Sequence, residues 1–315
     1  MKLRLKNWKA NYMRKEFANF MQKLGKKNKK AIFLTGDLGF MSLEGVRDAY
    51  GQRFINAGVS EQNMISMAAA LASQGLEPTC YSIAPFIVFR PAEQIRLDIC
   101  LHNMNVKIVG NGGGYGYGIM GGTHHAIEDI AVLTSFQNMR CFIPFCNEEV
   151  DFICEAMFNY KGPSYLRLGS GSKPEKLVLP EYSPVRKLLK GNQLTIITMG
   201  PIVLNIISAI WELSQKNVVD LYIVSELPLS DLSRELKNSI KKTNNVLILE
   251  EHVARGGLAE HISLLIHRNM LATKIEHFYA VGYPDGLYGS QDYHQKKCGI
   301  DKNTIIKTIK RLIKK

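Results

Sequence analysis

The stretch NAGVSEQNM, residues 56–64, sets a single carboxylate, Glu61, directly after Ser60, a residue type that caps helix N-termini, and ahead of the apolar run MISMAAALASQG. An acid in the first turn of a helix is stabilised by the helix dipole by about 0.3–1 kcal/mol, and on that ground alone Glu61 would be an exposed charge. Its surroundings argue otherwise. RFINAG (53–58) before it reads as a buried strand, and the helix after it is apolar on almost every face. Glu61 is therefore expected at the C-terminal end of a parallel strand, where open α/β sheets receive their ligands. Desolvation at such a place raises a carboxyl pKa, and perturbed acids in clefts are candidates for proton chemistry.

Further groups stand nearby in the sequence. PFIVF (85–89) offers two aromatic faces, Phe86 and Phe89, just ahead of a helical AEQIR segment. Arg90, followed by Pro91, is either a structural partner at a helix end or an anion reader. The segment GNGGGYGYGIMGGTHH (110–125) ends on two histidines, and His124 is a candidate because imidazole titrates near neutrality. So much glycine is poor core material; close approach to a ligand, or mobility, is the physical reason to have it. The loop is not a Walker motif, since no G-K-[ST] follows.

These groups need a scaffold. Short apolar runs at 31–36, 53–58, 78–83, 106–112, 140–145 and 164–169 alternate with helical stretches at 60–74, 91–103, 126–136 and 147–159. That alternation predicts an α/β fold with a parallel sheet covered on both faces. GSGSKPEKLVLPEYSP (169–184) breaks the pattern and reads as a linker. A second α/β series follows: LTIITM, a helix near 203–216, VVDLYIV, a helix near 231–242, NVLILE, a helix from about 257, and KIEHFYAVG. Two doubly wound domains suit a chain of 315 residues.

Composition excludes several classes. No apolar run approaches the roughly 20 residues of a bilayer span, and the basic N-terminus lacks a signal-peptide core, so a cytoplasmic protein is expected. Six single cysteines without a C-x-x-C pair predict buried thiols rather than a metal or redox site. The net charge of +12 is concentrated in Lys-rich segments at 23–30 and 307–315, read as solvated ends. Nucleic-acid binding would need arginine and aromatics interleaved along one face, and no such stripe is present.

The motifs RFINAGVSEQNM, PFIVFRPAEQIR, NVKIVGNGGGYGYGIMGGTHHAIEDIAVL, GPSYLRLG and LEEHVARGGLAEHI, in that order, resemble the C-terminal half of the transketolase family over residues 10–315. The resemblance implies a pyrimidine-binding domain at 1–170, a linker at 171–190 and a transketolase-type C-terminal domain at 191–315. It implies thiamine diphosphate as cofactor. Glu61 would bond N1′ of the aminopyrimidine and favour its imino tautomer, so that the cofactor removes its own C2 proton. Phe86, with Phe89, would stack on the pyrimidine, and Asp37 in TGDLGF (35–40) would lie on the cofactor side. His124 would line the channel to the thiazolium, with Arg90, Arg167 and Met120 facing substrate. The G-D-G…N segment that holds Mg²⁺ and the diphosphate has no counterpart here. An alpha-type partner chain is therefore expected to supply both in an α₂β₂-type assembly, leaving this chain without a metal site.

The sequence departs from that family where an acceptor would be read. Gly112 stands in place of a channel histidine, Met120 in place of an aspartate and Ser170 in place of a phosphate-binding arginine. An unusual acceptor, rather than a simple sugar phosphate, is the resulting expectation, with the opened glycine loop leaving room for a bulky one. A beta subunit of a 2-oxo acid decarboxylase or dehydrogenase component is the alternative within the same domain pair. A catalytically silent structural subunit is a third reading, against which the retained Glu61, Phe86 and His124 argue.

Overall fold

The computed structural model describes residues 13–39, 42–213 and 217–313. The start of the basic N-terminal segment, the last residue of TGDLGF, the end of the expected helix 203–216 and the last two residues of the chain lie outside them. Helix α1 (Met13–Lys27) leads into β1 (Ala31–Thr35), α2 (Glu44–Tyr50), β2 (Phe54–Asn56), α3 (Glu61–Ser73), β3 (Glu77–Ile83) and α4 (Ala84–Phe89). A single turn α5 (Ala92–Gln94) continues as a π-helical stretch, Ile95–Leu101, before β4 (Lys107–Asn111). Then come α6 (Asp129–Thr134), β5 (Arg140–Phe142), α7 (Val150–Asn159) and β6 (Ser164–Leu168). Their strands form one sheet in the order β5-β6-β4-β3-β1-β2, all neighbours parallel. The apolar strands expected from the sequence are these six.

Residues 169–184 carry no helix or strand. Beyond them lie β7 (Val185–Leu189), β8 (Leu194–Thr198), α8 (Val203–Glu212), β9 (Val219–Val224), β10 (Glu226–Leu227), α9 (Arg234–Thr243), β11 (Asn245–Leu249), α10 (Leu258–Arg268), β12 (Lys274–Phe278), α11 (Gln291–Lys297) and α12 (Lys302–Ile313). Five of these strands build a second sheet, β12-β11-β8-β9-β7, with only β7 antiparallel. The two-residue strand β10 does not join it. β10 pairs antiparallel with β5, Glu226 opposite Phe142 and Leu227 opposite Cys141, and so closes the edge of the first sheet.

One expectation is corrected, and the Lys-rich ends gain a structure. The lysines at 23–30 are exposed, as expected, and follow a face of α1 on which Met13, Phe17, Ala18 and Met21 recur at helical spacing and are buried. Arg53 fixes the end of that helix, donating to the carbonyls of Gly25 (2.7 Å), Asn28 and Ala31 (both 2.9 Å). The Lys-rich C-terminus is likewise an amphipathic helix, α12, with Ile305, Thr308, Ile309 and Leu312 buried. And β2 is not buried. It is an edge strand, half-exposed at Phe54 and Ile55 and exposed at Asn56, because only β1 pairs with it. All six cysteines are buried and free. Among the described residues no helix is long and apolar enough to cross a membrane.

Candidate active site

The C-terminal ends of β1 and β3 deliver the site. β1 ends at Thr35 and turns at Gly36; β3 ends at Ile83 and runs straight into α4, started by Pro85 in its first turn. The N-terminus of α3 enters between them, so that a methyl placed on Gly36 would lie 3.5 Å from Glu61 Oε1. Ser60 does not cap α3 with its side chain; its hydroxyl donates to the Ala57 carbonyl at 2.8 Å.

Glu61 is 3% exposed, as a buried acid should be. It is not isolated, however. Ser82 Oγ donates to Oε1 at 3.1 Å, and Arg90 Nη1 donates to Oε2 at 2.8 Å. The Arg90 guanidinium also lies over the Phe86 ring, 3.8 Å from its centroid. Arg90 keeps helical backbone angles at the end of α4, so it stands one turn after Phe86 on the same face. His124 completes the row: its ring meets Phe86 edge-on at 5.2 Å, and its Nδ1 lies 2.9 Å from Thr123 Oγ1.

The other expected residues are placed less centrally. Phe89 is 38% exposed on α4. Asp37, just past Gly36, has a left-handed backbone (φ +57°) and exchanges hydrogen bonds with Asn56, its N–H donating to Oδ1 at 3.0 Å and its Oδ1 accepting from Nδ2 at 2.9 Å. Met120 is 53% exposed on a short turn, Gly118–Met120.

The glycine loop is neither open nor loose. Tyr115 is fully buried, stacked on His294 at 4.7 Å, and its hydroxyl donates to the Gly282 carbonyl at 3.0 Å. Its N–H donates to Glu251 at 2.7 Å, and burial holds that carboxyl above the usual carboxylate range. The expected room beside Gly112 is taken by Tyr117: a methyl on Gly112 would come 2.2 Å from the Tyr117 ring, whose hydroxyl accepts from Asn111 Nδ2 at 2.8 Å. The close approach that the glycines permit is thus to the second domain and to the loop's own tyrosines. Of the two histidines, His125 is the structural one. It contacts Tyr283 Oη (2.8 Å) and the Gly118 carbonyl (2.7 Å), and burial brings its pKa down to about 4.

Residues 9–174 match the family model for the transketolase pyrimidine binding domain, and residues 184–305 match the transketolase C-terminal domain. The chain belongs to the transketolase family. It is 31% identical over 264 residues to the B subunit of apulose-4-phosphate transketolase from Actinobacillus succinogenes, covering 82% of this chain and 84% of that one. The protein of the same name from Phocaeicola vulgatus is 28% identical over 310 residues, covering 96% and 97%. Among solved structures, a split gene transketolase in the form of an inactive beta4 tetramer superposes with a TM-score of 0.80 at 25% identity, covering 96% of this chain and 98% of the other.

Transketolases depend on thiamine diphosphate. The residues present fit the aminopyrimidine end of that cofactor, because Phe86 and Glu61 already hold a flat, N–H-bearing group, one by its face and the other by its edge. Arg167, expected among the substrate contacts of a transketolase, is held in a buried network. It is 4% exposed, its Nε donates to Asp129 Oδ2 at 2.8 Å, and its Nη2 donates to the carbonyls of Ala126 and Glu251. These bonds engage Nε and Nη2 of the guanidinium. Tyr117 is the site neighbour that sequence reasoning misses; its signal is a large aromatic in the middle of a glycine run.

Proposed function

We propose that this chain is the beta-type subunit of a two-subunit, thiamine-diphosphate-dependent transketolase that transfers a two-carbon ketol or acyl unit. The observation that carries the reading is the buried Glu61 carboxylate and the Phe86 ring, both set against the Arg90 guanidinium at the sheet's C-terminal end. In support, both apulose-4-phosphate transketolase relatives are matched over most of their own length and most of this chain's. A partner of alpha type would hold the diphosphate and Mg²⁺, and the working assembly would be of α₂β₂ type.

The cofactor, when bound, supplies the nucleophilic carbon that carries the two-carbon unit. This chain's residues prepare it. Glu61 exchanges a proton with the ring nitrogen against its carboxylate, Ser82 orients that carboxylate, and Phe86 and Phe89 present apolar faces to the ring, with Asp37 flanking from the β1 turn. His124, held by Thr123 against Phe86, holds or moves a proton at the substrate oxygen. Arg90 and Met120 line the approach.

On the acceptor side we hold that a plain aldose phosphate is disfavoured, because Gly112, Met120 and Ser170 offer no charged donor; charge-assisted hydrogen bonds are worth about 1.5–3 kcal/mol each. A second reading, with a phosphorylated sugar as substrate, is favoured by the names of the two relatives. A substrate panel on the complex reconstituted with its partner, cofactor and Mg²⁺ decides between them. Unphosphorylated and deoxy carbonyl acceptors should match or exceed ribose 5-phosphate, glyceraldehyde 3-phosphate and erythrose 4-phosphate in kcat/KM. A decisive preference for the simple phosphates establishes the second reading, and absence of any two-carbon transfer removes both.

A further inference from the structure

Arg90 sits where a ligand should. Its guanidinium is planar, stacks on aromatic faces and presents N–H donors at its edge. It lies 3.8 Å above the Phe86 centroid and 2.8 Å from Glu61 Oε2. A face on Phe86 and an edge on Glu61 are the two contacts that an aminopyrimidine ring would make here. At that separation nothing can be inserted between guanidinium and ring, so the two occupants exclude each other. We infer that Arg90 holds the pyrimidine seat in the free chain and must swing away before the cofactor ring can enter. This rests on Phe86 and Glu61 being that seat.

Charge and access both favour such an exchange. A buried carboxylate without a counter-charge is strongly disfavoured, and of its two oxygens Ser82 serves only Oε1. Arg90 provides the cation at Oε2 until a ring arrives to replace it. The Glu61 side chain is 2% exposed, whereas that of Arg90 is 43% exposed, so the guanidinium has an open route outward. Its stem stays anchored at the end of α4, and once displaced the charge remains beside the entrance. A seat vacant only part of the time lowers apparent affinity by the vacant fraction. Arg90 therefore sets cofactor affinity through its own occupancy, a role separate from any contact with substrate.

The experiment uses the full chain and the ring half of the cofactor, 4-amino-5-hydroxymethyl-2-methylpyrimidine, titrated by calorimetry or ligand-observed NMR. Arg90→Ala should lower its Kd at least tenfold relative to wild type. Arg90→Lys, which keeps a cation near Glu61 but cannot lie flat on Phe86, should fall between the two. The Lys variant also guards against the chance that alanine, by baring Glu61, disturbs the fold. The double variant Arg90→Ala with Glu61→Gln should lose the gain. Equal Kd values for wild type, Arg90→Ala and Arg90→Lys, all weakened by Glu61→Gln, would overturn the occlusion and leave the seat standing. Binding to no variant, or binding indifferent to Glu61, would overturn the seat and with it the inference.

Discussion

On the proposed function Glu61 would answer two demands at once: it must be held in a buried place, and it must trade a proton when a ring lies against it. Ser82 and Arg90 meet the first demand, one on each oxygen. The second is tested by Glu61→Gln, which keeps the volume and the Ser82 contact but cannot exchange a proton. In the reconstituted complex this variant should lower kcat by about 10²–10⁴-fold, the usual range of general acid–base contributions, while its melting temperature stays near wild type. Turnover close to wild type would reduce Glu61 to a helix-end charge. At this scale the sequence is informative where local spacing sets the contact. Glu61 follows a strand and opens a helix, and Phe86 and Arg90 are one helical turn apart, so their neighbourhood follows from short stretches of chain. It is silent on what Arg167 bonds. That residue stands at a strand end, its partner is Asp129, 38 residues away, and its other bonds go to carbonyls at 126 and 251. A single sequence does not show which distant carboxylate will neutralise a buried arginine.

The elements that position the site differ in how plainly they are written. The central strands β1, β3, β4 and β6 are buried along almost their whole length because both faces are covered, and their apolar residues mark them in the sequence. The ends of the chain are harder to read because abundant lysine masks periodicity. In α12 the isoleucines at 305 and 309 and the leucine at 312 make one buried stripe under a basic face, a pattern that composition alone hides. β2 deceives for a different reason: its residues are apolar enough for a central strand, yet its place at the edge is a property of the whole sheet. The glycine loop gives the sharpest test at this scale. Gly112 has φ +77°, and an added methyl would meet the Tyr117 ring at 2.2 Å. Gly51 has φ +56° and open space around the same position. Both alanine variants bear the backbone penalty, of order 1–3 kcal/mol, but only Gly112→Ala must also move Tyr117. Chemical denaturation should therefore rank Gly112→Ala clearly below Gly51→Ala, and equal losses would mean that Tyr117 yields freely.

At the level of the molecule, the proposal has this chain hold only one end of the cofactor. The purified chain alone should bind thiamine diphosphate and Mg²⁺ weakly or not at all, and addition of the alpha-type partner should convert this to tight, Mg²⁺-dependent binding within a four-chain species; calorimetry and light scattering check both. Tight stoichiometric binding by the chain alone would defeat the two-subunit reading. Large apolar side chains near the site are exposed here, among them Val59 (73%), Ile119 (77%) and Tyr288 (56%), and the partner is expected to cover them. Within the chain itself the two sheets are less separable than their order suggests. The short strand β10 comes from beyond the linker yet pairs with β5, and the Ile143 N–H donates to the Ser225 carbonyl at 2.8 Å alongside it. Next to it Arg186 reaches back to Glu149 at 2.7 Å, both buried. A gene cut at the linker would therefore release a first half whose outermost strand shows bare N–H and C=O groups and whose Glu149 has lost its cation. Such an edge recruits other strands. The seam that looks most obvious in the sequence is thus a poor place to part the chain: severed there, it would trade a folded protein for a sticky one.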